Sequence, residues 1–280
     1  MRHERPSATA LAMAHIRALH QVLHQRGDEP AIFDDPLALR ILPESVCPAA
    51  DLDHGLTPDL VRRRRLYIAA RARAAVDCIE AARTQGTDQV VLLGAGLDTL
   101  PYHDRYPGIR YFEVDHPATQ RWKRHCLTRS GIAIPESLTY IPIDFDHDPL
   151  DHALAAGGFD RGRRTVYTWL GVLMYLDRPA IEDTIGYIAG GPAILLFDYI
   201  ARDAFGPHGN QEQLHTRANS VRALGEQWRT YLTPAQICTL LTPFGYQAVT
   251  DLSQSSLLAT YGIDTTPTDA GPHLVHASTT

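Results

Sequence analysis

Residues 90–117 read VVLLGAGLDTLPYHDRYPGIRYFEVDHP, and this stretch decides the fold. An apolar run ends in two glycines one residue apart, Gly94 and Gly96, and a second apolar run ends on two acids, Glu113 and Asp115. Short apolar runs separated by turn residues predict buried strands of a parallel sheet. A glycine turn after the first such strand lies where α/β folds bind ligands, because glycine lets the backbone approach a ligand closely.

The rest of the chain continues this alternation of strands and helices. Strands are predicted at residues 89–93, 109–114, 138–142, 165–170 and 193–199, and helices at 119–130 and 178–189. Two helical patterns at 7–25 and 59–84 precede them, and a helix capped at Thr233 and strands at 246–252 and 273–277 follow them. Strands that alternate with helices predict an α/β fold of Rossmann-like type, with a mostly parallel sheet and one antiparallel edge strand.

The 280 residues predict one domain with four parts, because no linker-like stretch interrupts the interior. We expect a helical preface at 1–86, a cofactor-binding core at 87–200, and a C-terminal helix with edge strands at 233–280. Residues 201–232 are polar and rich in histidine and glutamine, and they predict an inserted helical cap over the sheet edge. The domain organisation is therefore a single unit, 1–280, with elaborations.

Charge and composition exclude several functions. The formal net charge of −6 argues against nucleic-acid binding, which needs clustered positive charge. The N-terminus lacks the apolar core of a signal peptide and no window is apolar enough to span a membrane, so a cytoplasmic protein is expected. The four cysteines are scattered and the histidines form no ligand motif, so no metal is expected. A small-molecule partner is the remaining expectation, and the sequence does not indicate an oligomeric state.

The two acids favour a nucleoside ligand. Glu113 and Asp115 follow Gly96 by 17 and 19 residues, close to the spacing at which a carboxylate binds ribose hydroxyls. A dinucleotide site would have a third glycine where this chain has Thr99. S-adenosylmethionine is a nucleoside without phosphates, and Asp98 is available beside its charged amino-acid tail, as are Asp144 and Arg71 further along the chain.

With these features, the chain resembles the leucine carboxyl methyltransferase family, a branch of the class I S-adenosylmethionine-dependent methyltransferases that includes bacterial polyketide O-methyltransferases. The matching pieces are PSATALAMAHIRA, FDDPLA, IAARARAAVD, QVVLLGAGLDT, YFEVDHPATQRWK, YIPIDF, WLGVLMYL and LLFDY. They run in order through most of the chain, and together they are far more specific than any one alone. The resemblance implies a class I methyltransferase sheet and an O-methyltransferase.

The resemblance also implies roles in cofactor binding. Arg71 would bind the cofactor carboxylate, Gly94 and Gly96 would follow the cofactor with their backbone, and Asp115 would bind the ribose with support from Glu113.

Further positions carry over from the same family pattern. Asp144 and Phe145 would hold the adenine, and Arg17 would lie near the cofactor tail, although a solvated helix face is nearly as well supported for Arg17. Leu170 replaces an acid that the family usually places against the cofactor's amino group. That contact would pass to a backbone carbonyl or to Asp98, or binding would be weaker.

The sequence names no catalytic residue, and its substrate candidates are Tyr175, Tyr199 and Arg202, which follow strand ends. A carboxylate acceptor needs no base, whereas a phenol would gain from one, for which His208 and His215 are available. The leading hypothesis is methylation of a carboxylate or hydroxyl of a small, polyketide-like molecule. Two alternatives remain open, a nucleotide-dependent oxidoreductase and a protein that binds S-adenosylmethionine without turnover.

Overall fold

The structure is a computed structural model that describes residues 7–42, 52–103, 105–145, 147–201, 211–265 and 271–280. Within these ranges the chain forms a seven-stranded sheet. The strands are β1 Gln89–Leu93, β2 Arg110–Asp115, β3 Leu138–Pro142, β4 Thr165–Trp169, β5 Ala193–Ile200, β6 Ala248–Ser253 and β7 Pro272–Ser278. Their order across the sheet is β3-β2-β1-β4-β5-β7-β6.

The sheet confirms the Rossmann-like α/β fold with a mostly parallel sheet. Strands β1 to β5 pair in parallel, whereas β7 runs antiparallel to both β5 and β6. The antiparallel strand β7 is second from the edge, and β6 is the outermost strand on that side. The chain leaves β1 toward β2 on one side and later returns to place β4 on the other. This reversal of direction leaves a crevice beyond the carboxyl ends of β1 and β4.

Eight α-helices accompany the sheet in the described ranges. They are α1 Ala8–Gln25, α2 Pro58–Arg83, α3 Pro117–Arg129, α4 Leu150–Ala156, α5 Arg178–Ala189, α6 Gln211–Ala223, α7 Pro234–Leu241 and α8 Gln254–Thr260. Most begin at a side-chain cap, such as the Thr233 and Gln236 capping box of α7. None of the helices in the described ranges is both long and apolar enough to cross a membrane.

Alternate residues of the buried strands face two separate hydrophobic cores. In β1, Val90 and Leu92 pack with residues of α2, whereas Val91 and Leu93 pack with residues of α4 and α5. This follows from the two-residue repeat of a strand, which sends successive side chains to opposite faces. Both faces of the sheet are covered, and the crevice at the strand ends is left for a ligand.

Two buried acids attach the segment between α1 and α2 to the rest of the molecule. Asp35 lies 3.1 Å from Arg17 Nε and accepts hydrogen bonds from His103 Nε2 at 3.0 Å and Thr99 Oγ1 at 2.6 Å. Glu29 accepts a hydrogen bond from Arg65 Nε at 3.0 Å. Because Thr99 follows the glycine turn, Asp35 fixes the preface directly against that turn.

Candidate cofactor and substrate site

A cavity of about 630 Å³ lies beyond the carboxyl ends of the parallel strands. The glycine turn and residues after β2, β3, β4 and β5 form its floor, while α1 and α2 form its walls. Residues of α6 and of the loop after it complete the lining. The sequence predicts a cap over the sheet edge at residues 201–232. In the structure, residues between 217 and 229 of this segment line the cavity.

Gly94 and Gly96 bring the backbone to the cavity in conformations that only glycine adopts easily. Their φ angles are +67° and +49°. A Cβ added to Gly94 would lie 2.2 Å from Val172 Cγ2, and one added to Gly96 would lie 3.2 Å from Ala10 Cβ. The turn is therefore restricted both by its backbone angles and by close neighbours from two other segments.

Asp115 fastens the end of β2 to the glycine turn. Its carboxylate accepts hydrogen bonds from the Gly96 N–H at 2.5 Å and from the His116 N–H at 2.6 Å. Burial raises the pKa of Asp115, although these two hydrogen bonds oppose the change. Both Asp115 and His116 line the cavity, so the acid at the end of β2 is held in place where a ligand can reach it.

Glu113 does not line the cavity. It is fully buried, and its carboxylate accepts hydrogen bonds from Lys123 Nζ at 2.6 Å and from the Tyr102 hydroxyl at 3.3 Å. Burial raises the pKa of Glu113, against the opposing charge of Lys123. Although Glu113 is only two residues before Asp115 on β2, it contacts α3 and the segment after the glycine turn rather than the cavity.

Arg71 and Asp198 form an ion pair at the opposite end of the cavity. Asp198 Oδ2 lies 2.5 Å from Arg71 Nη1, and Asp198 Oδ1 accepts a hydrogen bond from the Gly171 N–H at 2.5 Å. Burial lowers the pKa of Arg71, but the charge of Asp198 outweighs it and the net shift is upward. One carboxylate therefore fixes α2 and the turn after β4 together, and both charged groups line the cavity.

Asp98 and Arg17 lie beside the glycine turn. Asp98 Oδ1 accepts a hydrogen bond from the Leu100 N–H at 2.9 Å and lies 3.7 Å from Arg17 Nη1. Arg17 Nη2 donates to the Leu97 carbonyl at 2.7 Å. Arg17 is buried, so it is not on a solvated helix face. Asp144, Phe145 and Leu170, the other predicted cofactor residues, also line the cavity.

The loop after α6 is attached to the start of α1. The Glu226 carboxylate accepts hydrogen bonds from Ser7 Oγ at 2.9 Å, Thr9 N–H at 3.2 Å and Thr9 Oγ1 at 2.5 Å. We call these contacts the Glu226 clasp. Trp228, two residues later, also lines the cavity. The clasp joins the first described helix to the segment that covers the cavity.

The predicted substrate residues occupy different positions. Tyr175 lines the cavity, whereas Tyr199 does not, and its hydroxyl donates to Asp251 Oδ2 at 2.7 Å. Tyr199 follows Asp198 on β5, so its side chain faces the other side of the sheet. Arg202 and His208 lie outside the described residues, and His215 is exposed and does not line the cavity.

Sequence reasoning missed several lining residues, among them Arg64, Asp198, Arg217 and Glu226. For Asp198 a signal was present, because an acid at the end of an otherwise apolar buried strand needs a partner. Arg64, Arg217 and Glu226 had no such signal, since arginines and glutamates on helices and loops are usually solvated. Among the described residues, no three histidine, cysteine, aspartate or glutamate side chains cluster as a metal site would require.

Residues 10–189 match the leucine carboxyl methyltransferase family. The chain belongs to this family. The matched range contains the glycine turn, both acids of β2, and Arg71. Asp198 and the segment that covers the cavity fall outside it, as do the lining residues Ser7, Thr9, Ile200 and Pro272.

Several proteins similar to this chain share one provisional name. A Bacillus subtilis protein, YktD, is 29% identical over 93% of this chain and 89% of its own length, and is provisionally named an S-adenosyl-L-methionine-dependent methyltransferase. A Streptomyces coelicolor protein with the same provisional name is 36% identical over 62% of this chain and 61% of its own length. A Parafrankia protein, also so named, is 32% identical over 80% of this chain and 72% of its own length.

Solved structures share the fold of this family member. A Streptomyces avermitilis protein of domain-of-unknown-function family 574 superposes with a TM-score of 0.63 at 16% identity, covering 97% of each chain. A protein from Thermobifida fusca, provisionally described as a methyltransferase, gives a TM-score of 0.60 at 18% identity, covering 100% of this chain and 97% of the other. At these identities the likeness concerns the fold alone.

Proposed function

We propose that this protein binds S-adenosylmethionine in the cavity and transfers its methyl group to a carboxylate or hydroxyl oxygen of a small molecule. The observation that carries the proposal is the convergence of three features on one cavity. These are the glycine turn, Asp115 at the end of β2, and the Arg71–Asp198 pair. Family membership supports the same reaction class.

The cavity fits this cofactor in charge and in size. Its floor holds an acid on one side and an acid paired with an arginine on the other, which suits a ligand with a diol at one end and a zwitterion at the other. A volume of about 630 Å³ falls within the ~300–1,000 Å³ usual for ligand sites.

The nucleoside would lie at the β2 and β3 ends. Asp115 would accept hydrogen bonds from the ribose hydroxyls, Asp144 would accept one from the adenine amino group, and Phe145 would contact the ring. Gly94 and Gly96 would let the backbone approach the ligand, since neither position has room for a larger side chain without movement.

The amino-acid tail would lie at the β4 and β5 ends. Arg71 would bind its carboxylate, and Asp198 would face its ammonium group. Leu170 offers no charge there, and the structure supplies Asp198 nearby, on the neighbouring strand. The alternative contact through Asp98 is less favoured, because Asp98 is directed toward Leu100 and Arg17.

When bound, the cofactor supplies an electrophilic methyl group on a sulfonium. The chain's part is to hold the acceptor oxygen in line and to keep water out. Tyr175 and Trp228 line the cavity beside the clasp. Burial and the charge of Glu226 raise the pKa of Tyr175 to about 12, so its hydroxyl is protonated at neutral pH and can donate a hydrogen bond to the acceptor. A carboxylate acceptor is already ionised and needs no base.

A calorimetric titration tests the cofactor assignment. We expect the wild type to bind S-adenosylmethionine and S-adenosylhomocysteine with micromolar affinity, and Asp115→Ala and Arg71→Ala to bind neither. Asp151→Ala and Arg178→Ala are matched controls, because both side chains are exposed and neither lines the cavity. Absence of binding in the wild type would overturn the proposal.

Turnover is tested separately, by following S-adenosylhomocysteine release with a panel of small carboxylates and phenols. Release with a carboxylate or phenol supports O-methyl transfer. Cofactor binding without release on any acceptor would favour a binding protein, and saturable NADH binding in the cavity would favour an oxidoreductase. The assignment to polyketide-like secondary metabolism rests on the family resemblance, and the panel therefore includes aromatic polyketide acids.

A further inference from the structure

Two arginines from different helices face the cavity. Arg64 on α2 and Arg217 on α6 both line it. Arg64 Nη1 donates to the Leu52 carbonyl at 2.8 Å, and its Nη2 is paired with Asp53. Within the described ranges Arg217 forms no hydrogen bond or ion pair, and its Nε is shut off from solvent. The Nε of Arg64 is likewise buried without a partner in those ranges.

Among the described residues, the acids near this part of the wall are engaged by groups other than Arg217. Asp53 partners Arg64, and the Glu226 carboxylate is engaged by α1 through the clasp. Burial, followed by the nearby charge of Arg64, lowers the pKa of Arg217 to about 10. A buried cation without a counter-charge is costly, and an anion that accepts its hydrogen bonds would relieve that cost.

The arginine pair is separate from the proposed cofactor-tail site. Arg64 precedes Arg71 by seven residues, so the two share a helix face about 10 Å apart along the axis of α2. Leu52, whose carbonyl accepts from Arg64, forms an apolar cluster with Val221, one turn after Arg217 on α6. Met13 and Trp228 pack against this cluster, Met174 packs with Trp228, and all five line the cavity. A ligand that reaches Arg217 would therefore present an apolar body to this wall and an anionic group to the guanidinium.

We propose that Arg217, assisted by Arg64, binds a carboxylate of the methyl acceptor, so that the acceptor is a small amphipathic organic acid. That the bound acid is the methyl acceptor rests on the proposed function. The anion site itself rests on the two arginines and the apolar wall around them. Arg217 would form charge-assisted hydrogen bonds with the acid, and the apolar residues would pack against its hydrocarbon part.

The test compares acids with neutral analogues of the same shape. The probes are benzoate, 4-phenylbutyrate, 2-naphthoate and decanoate, each paired with its primary amide. Binding is measured by calorimetry to protein without cofactor and to protein saturated with S-adenosylhomocysteine. The variants are Arg217→Gln and Arg64→Gln. Arg222→Gln is the control, because Arg222 is on the same helix but exposed.

We expect at least one acid to bind and its amide to bind far more weakly. Arg217→Gln should weaken acid binding about tenfold to a hundredfold, the loss expected for hydrogen bonds between charged groups, and Arg222→Gln should leave it unchanged. Cofactor affinity should be the same in Arg217→Gln and the wild type, and thermal stability should not fall, because the substitution removes a buried charge that has no partner among the described residues.

Three results would overturn the inference. They are equal binding of acids and amides, binding of no acid in either state of the protein, and acid binding that does not depend on Arg217. A loss of S-adenosylhomocysteine affinity in Arg217→Gln would assign the arginine to the cofactor instead. If the wild type binds acids through Arg217 but binds no S-adenosylhomocysteine, the cofactor proposal fails while the anion site stands.

Discussion

Gly94 is under a tighter steric limit than the other glycines of the cavity. Its Cβ position lies 2.2 Å from Val172 Cγ2, whereas the corresponding contacts of Gly96 and Gly171 are 3.2 Å and 3.3 Å. All three have positive φ. Close approach and backbone angle therefore act together at Gly94. A substitution there should cost more stability than one at a turn glycine that has open space around it.

We expect Gly94→Ala to lower the free energy of unfolding more than Gly108→Ala does. Gly108 has a φ of +87° but no atom near its Cβ position, so Gly108→Ala should cost only the left-handed backbone, about 1–2 kcal/mol. Gly94→Ala should add about 1–3 kcal/mol for overpacking and abolish S-adenosylhomocysteine binding. Urea unfolding and calorimetry measure both. Equal losses of stability would show that Val172 yields to the methyl group.

Single residues also show where sequence reasoning reaches its limit. Spacing after a glycine turn led to Asp115, because the chain path from turn to strand end is short and nearly fixed. It did not lead to Asp198, whose importance depends on Arg71 from α2 and Gly171 after β4. Nor could it tell that Tyr199 faces away from the cavity, since that depends on which residue of β5 is the last to point inward.

Among the elements, the segment between α1 and α2 depends on carboxylates with low pKa values. Burial alone would raise the pKa of Asp35, but the charge of Arg17 and hydrogen bonds from His103 and Thr99 lower it from 3.8 to about 2. A depressed folded-state pKa stabilises the protein above the unfolded value, and that contribution disappears as pH falls toward the folded value.

We therefore expect the wild type to lose stability between about pH 4 and pH 2 through this site. Asp35→Asn should already be less stable at neutral pH, by about 3 kcal/mol, because Arg17 loses its buried partner. Its further loss on acidification should be smaller than that of the wild type. Urea unfolding over this pH range measures both, and parallel pH profiles for the two proteins would contradict the assignment. Glu29, with its pKa also lowered to about 2, adds a loss of the same sign to both.

The Glu226 clasp predicts how firmly the cavity is covered. Glu226→Ala removes three hydrogen bonds to the start of α1. We expect hydrogen exchange in residues 214–232 to rise by about tenfold, since each charged hydrogen bond is worth more than 1 kcal/mol. Glu182→Ala is the control, because Glu182 pairs with Arg178 on an exposed helix face. Unchanged exchange in Glu226→Ala would mean that apolar contacts alone hold the segment.

The elements themselves were largely predictable. Strands 89–93 and 138–142 and helix 178–189 agree with the structure at both ends, because apolar periodicity and proline or glycine boundaries mark them. The helices α4 and α8 were not predicted. Each has seven residues, which is too short for a helical repeat to stand out from its surroundings.

For the whole molecule, the cavity is enclosed by segments from nearly the full length of the chain. Ligand binding should therefore stabilise the molecule as one unit. At about 100 times its dissociation constant, S-adenosylhomocysteine should add about 2.7 kcal/mol and raise Tm by about 5 °C in a single transition. Differential scanning calorimetry measures this, with Asp115→Ala as the variant that loses the shift. Two separate transitions, of which only one responds, would show that the covering segment unfolds independently.

The overall architecture was accessible from sequence because strand and helix alternation leaves few topologies for a parallel sheet. The course of residues 217–229 was not, because no local pattern indicates which opening a polar helix and loop will cover. Arg217 lines the cavity because α6 follows this path, so its place in the cavity could be found only from the structure.

The Glu226 clasp also bears on the order in which the chain acquires its parts during synthesis. Ser7 and Glu226 are separated by 219 positions along the chain. A nascent chain that emerges with its N-terminus first holds α1 and the glycine turn long before Glu226 has been translated. The cavity therefore lacks its covering segment, and Ser7 and Thr9 lack the Glu226 carboxylate, until most of the polypeptide has been made.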